Sequence, residues 1–458
     1  MKLDFTDFLY ALSYALDAAE RETTGAETGH GKRVAYISYL CAKGLGMSDQ
    51  ELVNLIGCAI LHDNAIAEYL REERDAESRL TENRYAEIKN RWGSKSVHIY
   101  VGARNIRKLP FEGDVSDIIL WHHEEADGSG PFGLTEKETC ISSQIIHLAD
   151  RLDLLYSLPK LSKEGFRELR SYVEWNVGKQ FSHKAVACFL RNVSFQEIEK
   201  MQKEGAEKLL REHIPAFIKE YTEKQICDIS SFFADIVDYK SAFTRNHSIG
   251  VMDKARRMAE YYGFPGEKQL RFAFAGALHD IGKMVVGNDI LEKPDRLNVH
   301  EFDRMKDHAS ETYKILHSIH GLEDVAEWAA NHHEKLDGTG YARGLSGVQL
   351  PFEDRLMACI DIYQALTEAR PYKDGLSHRK TMRLMKGMAR DGKIDPQITE
   401  DMDLVFGAGQ TEEQDEEEAR FIRKRWKCEV CGYIYEGDTP PRTCPVCSSD
   451  MDRFFLVQ

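Results

Sequence analysis

No stretch of the 458 residues is long and apolar enough to span a bilayer, and the N-terminus, MKLDFTDFLYALSYALDAAE, lacks the basic start and uninterrupted apolar core of a secretory signal. Membrane insertion and export are therefore not expected, and a cytoplasmic protein is. Runs that alternate with period two are nearly absent before roughly the last thirty residues, which leaves little material for a sheet. Basic residues are outnumbered, 61 Lys and Arg against 76 Asp and Glu, for a formal net charge of -15. That balance excludes broad binding to duplex nucleic acid, which needs clustered cations to displace counterions. An anionic small molecule would require a locally positive pocket.

A disulfide framework is missing as well. Of ten cysteines, Cys428, Cys431, Cys444 and Cys447 form two CxxC pairs at the C-terminus, while Cys41, Cys58, Cys140, Cys188, Cys227 and Cys359 lie in mostly apolar helical contexts. This is metal-site usage in a reducing compartment.

What is present is helical periodicity. In EKQLRFAFAGALHDIGK the apolar Leu270, Phe274, Ala277, Leu278 and Ile281 share a face, which places His279 and Asp280 near the end of a buried helix. In FDRMKDHASETYKILHSI, Met305, Ile315, Leu316 and Ile319 share a face with His308 and Thr312. The expected fold class is mainly all-α, with a small β-rich Cys-containing tail.

The same motif series occurs twice. His30, His62-Asp63, His98, His122-His123-Glu124 with Asp127-Gly128, and Asp150 are followed, at nearly constant offset, by His247, His279-Asp280, His308, His332-His333-Glu334 with Asp337-Gly338, and Asp361. Such self-similarity is the mark of a duplicated module. The chain accordingly divides into 1–228, a first copy with connector helices; 229–405, a second copy; 406–423, an acidic linker around TEEQDEEEAR; and 424–458, the Cys-rich tail. The connector IEKMQKEGAEKLLREHIPAFIKEY is expected to be a polar, solvent-bridging helix.

One histidine on an apolar face is ordinarily a satisfied core residue, the reading for His317, His320 and His378. An ordered series of seven His and Asp is different, because burying imidazoles with carboxylates is costly unless a metal cluster coordinates them. Imidazole nitrogen mixed with carboxylate oxygen suits iron, manganese or zinc. Adjacent His332-His333 can give two ligands from one segment, and Asp280 can stand between two metals, the arrangement that clamps a phosphate and activates water.

Through AFTRNHS, ALHDIGK, KDHASETYKIL, HHEKLDGTGYARGL and DIYQALTEARPYK, the second copy resembles the HD superfamily and, within it, the HD-GYP cyclic-dinucleotide phosphodiesterases. The resemblance implies two tandem HD-type helical domains. It implies two metals held by His247, His279, Asp280, His308, His332, His333 and Asp361, with Asp280 bridging. It assigns phosphate-binding roles to Lys283, Arg370 and Lys373, and catalytic roles to Asp280 and Lys283. It also implies attack by a bridging hydroxide on a cyclic dinucleotide, most simply cyclic di-GMP. Where the signature has Gly-Tyr-Pro, this chain has Gly340-Tyr341-Ala342, so Tyr341 is kept on the substrate side without the rigid proline. Phe243 stands where some members place an acidic ligand for a third metal, so two metals are expected.

The first copy keeps His30, His62, Asp63, His98, His122, His123 and Asp150 as a second set of candidate metal ligands. HDIGK has become HDNAI, however, and RPYK has no counterpart. The tail WKCEVCGYIYEGDTPPRTCPVC reads as a four-thiolate site on Cys428, Cys431, Cys444 and Cys447. It is similar to the short rubredoxin-like domain of rubrerythrins, which implies one iron; a structural zinc ribbon is the alternative. Joined to an HD site, such a tail suggests redox control and an electron-donor protein as partner. Besides a cyclic dinucleotide, a second copy of the chain is a candidate partner. An HD-fold di-iron oxygenase and a non-catalytic receptor are the competing functions.

Overall fold

Helix starts are written locally. Ser48 Oγ accepts from the Glu51 N–H while the Glu51 carboxylate accepts from the Ser48 N–H, and Asn298 with Glu301 repeats this capping box at Val299–His317. The structure, a computed structural model, describes residues 1–24, 28–65, 97–240, 245–291, 293, 296–369, 375–407, 425–430, 434–436, 440–441, 443 and 450–456. It forms two compact units, Met1–Asp401 and Met402–Gln458.

In the larger unit, β1 (Lys2–Asp4) leads into α1 (Phe5–Thr24), α2 (His30–Ala42), α3 (Asp49–Ile60), α4 (Val97–Ile106), α5 (Ser116–Leu120) and α6 (Ile141–Tyr156). The helices α7 (Lys163–Trp175), α8 (His183–Asn192), α9 (Phe195–Glu204) and α10 (Ala206–His213) follow. Then β2 (Ile218–Glu220) returns to pair antiparallel with β1, Leu3 facing Lys219. The second copy runs through α11 (Glu223–Lys240), α12 (Arg245–Tyr261), α13 (Gly266–Leu278), a 3-10 turn Ile281–Val285, α14 (Asn288–Leu291) and α15 (Val299–His317). It continues through α16 (Glu323–Ala330), a 3-10 turn Asn331–His333, α17 (Phe352–Thr367), α18 (His378–Arg390) and α19 (Pro396–Gly407). The fold is mainly helical, as the periodicity required.

Each copy opens with a leading helix, α1 or α11, ahead of the helix that carries its first histidine. The two leading helices meet: the Phe8 and Phe233 rings pack edge to face with centroids 4.9 Å apart, and both side chains are buried. Burying each such ring contributes about 1.5–3 kcal/mol. Across the same seam Tyr14 Oη donates to Glu311 Oε2 at 2.9 Å, and Lys108 pairs with Asp235 and donates to Ser231 Oγ at 3.3 Å. The duplicated modules therefore share one packed core.

The connector differs from its expectation. Gly205, at φ 85°, ends α9, and the chain folds back through the short helix α10 and the strand β2. Ile198, Met201, Leu209 and Leu210 are buried, Tyr36 Oη donates to Glu197 at 2.8 Å, and Lys32 pairs with Glu207 at 2.7 Å. Its polar residues cover the outside of the first copy instead of bridging solvent. The proposed division near residue 230 falls within the continuous helix α11.

In the smaller unit, β3 (Arg425–Cys428), β4 (Ile434–Glu436) and β5 (Phe454–Leu456) form an antiparallel sheet in the order β4-β3-β5, Trp426 facing both Tyr435 and Leu456. Cys428 is buried on β3. Cys431, Cys444, Cys447 and most of the acidic linker lie outside the described residues.

Candidate metal centres

The second copy brings its candidate ligands together from six elements. His247 comes from α12, His279 caps α13, Asp280 starts the following turn, His308 lies mid-way along α15, His332 and His333 end the turn after α16, and Asp361 lies on α17. All are buried except His333, whose side chain is 28% exposed and marks the open side. His247 Nε2 lies 3.0 Å from Asp361 Oδ1, and His279 Nε2 lies 3.2 Å from Asp280 Oδ2 and 3.7 Å from Asp361 Oδ1. Asp280 Oδ1 faces His308 Nε2 at 3.5 Å and His332 Nε2 at 3.8 Å, and His333 Nδ1 is 3.7 Å from Asp361 Oδ2. Two groups of candidate ligands emerge, His247-His279-Asp280 and His308-His332-His333, each with donor atoms within 4.8 Å of one another.

The helices fix which nitrogen each imidazole presents. The Nδ1 of His279, His308 and His332 lies within 2.7 Å of the carbonyl oxygen three residues earlier, at Gly276, Met305 and Ala329. Each Nδ1–H thereby donates to its own helix and Nε2 is left as an acceptor toward the cluster. His279 Nε2 and Asp280 Oδ1 are buried with no hydrogen-bond partner. Orphaned acceptors aimed at one point fit a cation.

Electrostatics give the same answer. Burial would raise the Asp280 carboxyl, but Lys283, His279 and His308 hold it well below the usual carboxylate range. Asp361 is likewise held down, its burial outweighed by His247 and His333. Burial, with His333 and His279 nearby, keeps His332 neutral, and burial pushes His333 down to about 3. Burial also opposes charge on His247, yet its bonds to Asp361 and Glu368 lift it to about 9. Two ionised carboxylates ringed by mostly neutral imidazoles make a place short of positive charge, which divalent ions would complete.

The first copy repeats the pattern. His30-His62-Asp150 and Asp63-His98-His122-His123 form its two groups, again with donors within 4.8 Å. His62 Nδ1 and His122 Nδ1 meet the carbonyls of Ala59 and Ile119 at 2.9 and 2.6 Å, and the Nε2 atoms of His30, His62 and His122 are buried without a hydrogen-bond partner, His30 Nε2 standing 3.2 Å from Asp150 Oδ1. The candidate ligands of both copies are therefore brought together.

The phosphate-binding candidates are only partly in view. Lys283 Nζ lies 2.5 Å from Asp280 Oδ2 with its side chain 21% exposed, while Arg370, Lys373 and Phe243 lie outside the described residues. Tyr341 stands at the mouth, its ring centroid 4.7 Å from His333 and 6.1 Å from His308. Of the histidines set aside, His378 Nδ1 bonds the Tyr363 hydroxyl at 2.8 Å, and His320 is exposed.

Several residues that support the candidate ligands were not legible in sequence. Glu368 Oε2 accepts from His247 Nδ1 at 3.0 Å, and Gln364 links Glu368 to Lys254. In the first copy Asp153 takes this role, 2.7 Å from His30 Nδ1 and paired with Arg33 at 2.8 Å. Glu334, which follows the His pair, is not a ligand in this geometry: it accepts the backbone N–H groups of Arg343, Gly344 and Leu345 at 2.7–3.0 Å and pins the loop that carries Tyr341. Glu124 does the same with Phe132 and Leu134.

Residues 231–398 and 28–155 each match an HD domain, and residues 426–455 match the rubredoxin-like domain of rubrerythrin. The chain is a tandem HD-domain protein with a C-terminal rubredoxin-like domain, and its relatives are phosphodiesterases of the HD-GYP kind. It is 29% identical over 398 residues, 85% of this chain and 89% of the relative, to 3'3'-cGAMP-specific phosphodiesterase 1 of Vibrio cholerae. It is 34% identical over 157 residues, 34% of this chain and 37% of the relative, to a cyclic di-GMP phosphodiesterase of Pseudomonas aeruginosa. The crystal structure of a cyclic GMP-AMP specific phosphodiesterase of V. cholerae shares the fold, with a TM-score of 0.62 and 21% identity over 90% of this chain and 100% of that one.

Proposed function

We propose that the second HD domain is a metal-dependent phosphodiesterase that hydrolyses a cyclic dinucleotide. The observation that carries this reading is the Lys283 ammonium, 2.5 Å from Asp280 at the partly open edge of the ligand cluster. One spot thus offers both ligand carboxylate and a cation for phosphate. HD relatives named as cGAMP-specific and cyclic di-GMP phosphodiesterases support the substrate class.

His247, His279, Asp280 and Asp361 would hold one divalent ion, and His308, His332 and His333 with the other oxygen of Asp280 a second. When bound, the pair supplies a clamp for phosphate oxygens and an activated water, so no protein nucleophile is required. The chain's own groups do the rest. Asp280 faces both ligand groups with its two oxygens, Lys283 neutralises a phosphate oxygen, and Glu334 fixes the loop that places Tyr341 over the mouth. Arg370 and Lys373 complete the phosphate pocket in this reading. Iron is the metal favoured by the rubredoxin-like partner domain, with manganese or zinc compatible with the ligands. The first domain, with matching ligands but no lysine after its Asp63-Asn64, is a second metal centre without phosphate chemistry.

The full-length chain, purified without oxygen and loaded with Fe²⁺ or Mn²⁺, is offered cyclic di-GMP and 3'3'-cGAMP side by side. Hydrolysis of either that stops on chelation, and that falls about 100-fold in Lys283→Ala, is expected. Metal-loaded protein that leaves both intact would overturn the reading.

A further inference from the structure

Among the candidate ligands of the second centre His333 is the part-exposed one, and from its ring the contact with Tyr341 leads on to α15. There the first two turns present Val299, 75% exposed, and Phe302, 46% exposed, although both are large and apolar. The Phe302 ring lies 6.3 Å from the Tyr341 ring at an interplanar angle of 79°, and Tyr341 in turn is 4.7 Å from the ligand His333. Over the Phe302 ring, 4.9 Å from its centroid, stands the ammonium of Lys306. An aromatic face left half open, continuous with a metal centre and flanked by a cation, is what a base attached to a phosphate would meet.

We infer that Phe302 is a stacking shelf for one purine of the dinucleotide, with Lys306 over one face of its ring and Tyr341 beside it. The inference rests on the proposed phosphodiesterase reading and deepens it: the phosphate under attack lies at the cluster, and its own nucleoside extends past Tyr341 onto Phe302. Stacking tolerates any purine, so the shelf selects for a base-bearing diester and sets affinity, while Lys283 acts on the phosphate itself. Val299 extends the apolar surface beyond the ring by one helical turn.

The test is steady-state kinetics of metal-loaded, full-length protein on cyclic di-GMP and 3'3'-cGAMP for wild type, Phe302→Ala and Phe302→Trp. The alanine variant should raise KM about 10-fold or more for whichever dinucleotide is hydrolysed, with the loss falling on KM rather than kcat, and the tryptophan variant should restore it. Because Phe302 is half exposed, metal content and melting temperature should match wild type, which separates a lost shelf from a lost fold. An unchanged KM in Phe302→Ala, with wild type active, would overturn the shelf and leave the phosphodiesterase reading standing. Wild type that neither binds nor hydrolyses these dinucleotides would overturn both.

Discussion

The imidazole of His247 is held between two carboxylates, Asp361 at 3.0 Å from its Nε2 and Glu368 at 3.0 Å from its Nδ1. Asp361 belongs to the ligand series, whereas Glu368 acts behind it. A carboxylate that accepts the far N–H of a ligand histidine fixes its tautomer and raises its basicity, and its loss commonly weakens metal binding 10–100-fold. Glu368→Ala should therefore bind Mn²⁺ about 10-fold or more weakly by calorimetric titration, and Glu368→Gln should lose less. Equal affinity in all three proteins would remove Glu368 from the site.

Asp153, its counterpart in the first copy, should behave differently, because it also neutralises a buried guanidinium. Both Asp153 and Arg33 are almost fully buried, so Asp153→Ala strands a cation and should destabilise the fold by about 3–5 kcal/mol. Denaturant unfolding of that variant, with a midpoint close to wild type, would contradict the pairing.

The loop beside the second centre depends on one carboxylate and one glycine. Glu334→Ala leaves three backbone N–H groups without their acceptor and should cost about 3 kcal/mol or more. A Cβ at Gly340 would lie 2.5 Å from Glu334 Cα, so Gly340→Ala should open the same loop. Protease cleavage within 334–346, slow in wild type and fast in both variants, is the expected readout.

Asp354 supplies a pH signature away from the ligands. Burial pushes its carboxyl up to about 6, only partly offset by the bond from Asn331 Nδ2 at 2.6 Å. The folded form then holds this proton more tightly than the unfolded chain. Its contribution favours folding below about pH 4 and is lost as pH rises through 6, where the buried charge becomes a cost. Asp354→Asn should accordingly melt a few degrees above wild type at pH 8, with the difference gone near pH 4. A constant difference across that range would refute the assignment.

Redox control rests on the union of an HD centre with a rubredoxin-like domain. If electrons reach the centre through the tail, deletion of residues 424–458 should change how activity responds to air and reductant. A deletion variant with the response of the full chain would remove this role.

The candidate ligand clusters were legible in the sequence because both copies spell them in the same order, and because buried histidines on core-facing helical stripes demand an explanation. The 3.6-residue periodicity gave the helices for the same reason. What stood behind the ligands was not legible: Asp153 follows Asp150 by one helical turn, whereas Glu368 lies beyond the end of α17, so no common spacing marks the two. The connector misled because a helix polar on one side looks solvent-bridging until the φ of 85° at Gly205 turns it back onto α2. Phe302, half exposed, gave no periodic signal.

The most direct measurement compares cyclic dinucleotide hydrolysis by metal-loaded wild type, Asp280→Ala and Asp63→Ala. The account predicts that activity disappears with Asp280 and survives the loss of Asp63. Activity that persists without Asp280, or vanishes equally in both variants, would contradict the assignment of phosphodiester chemistry to the second domain.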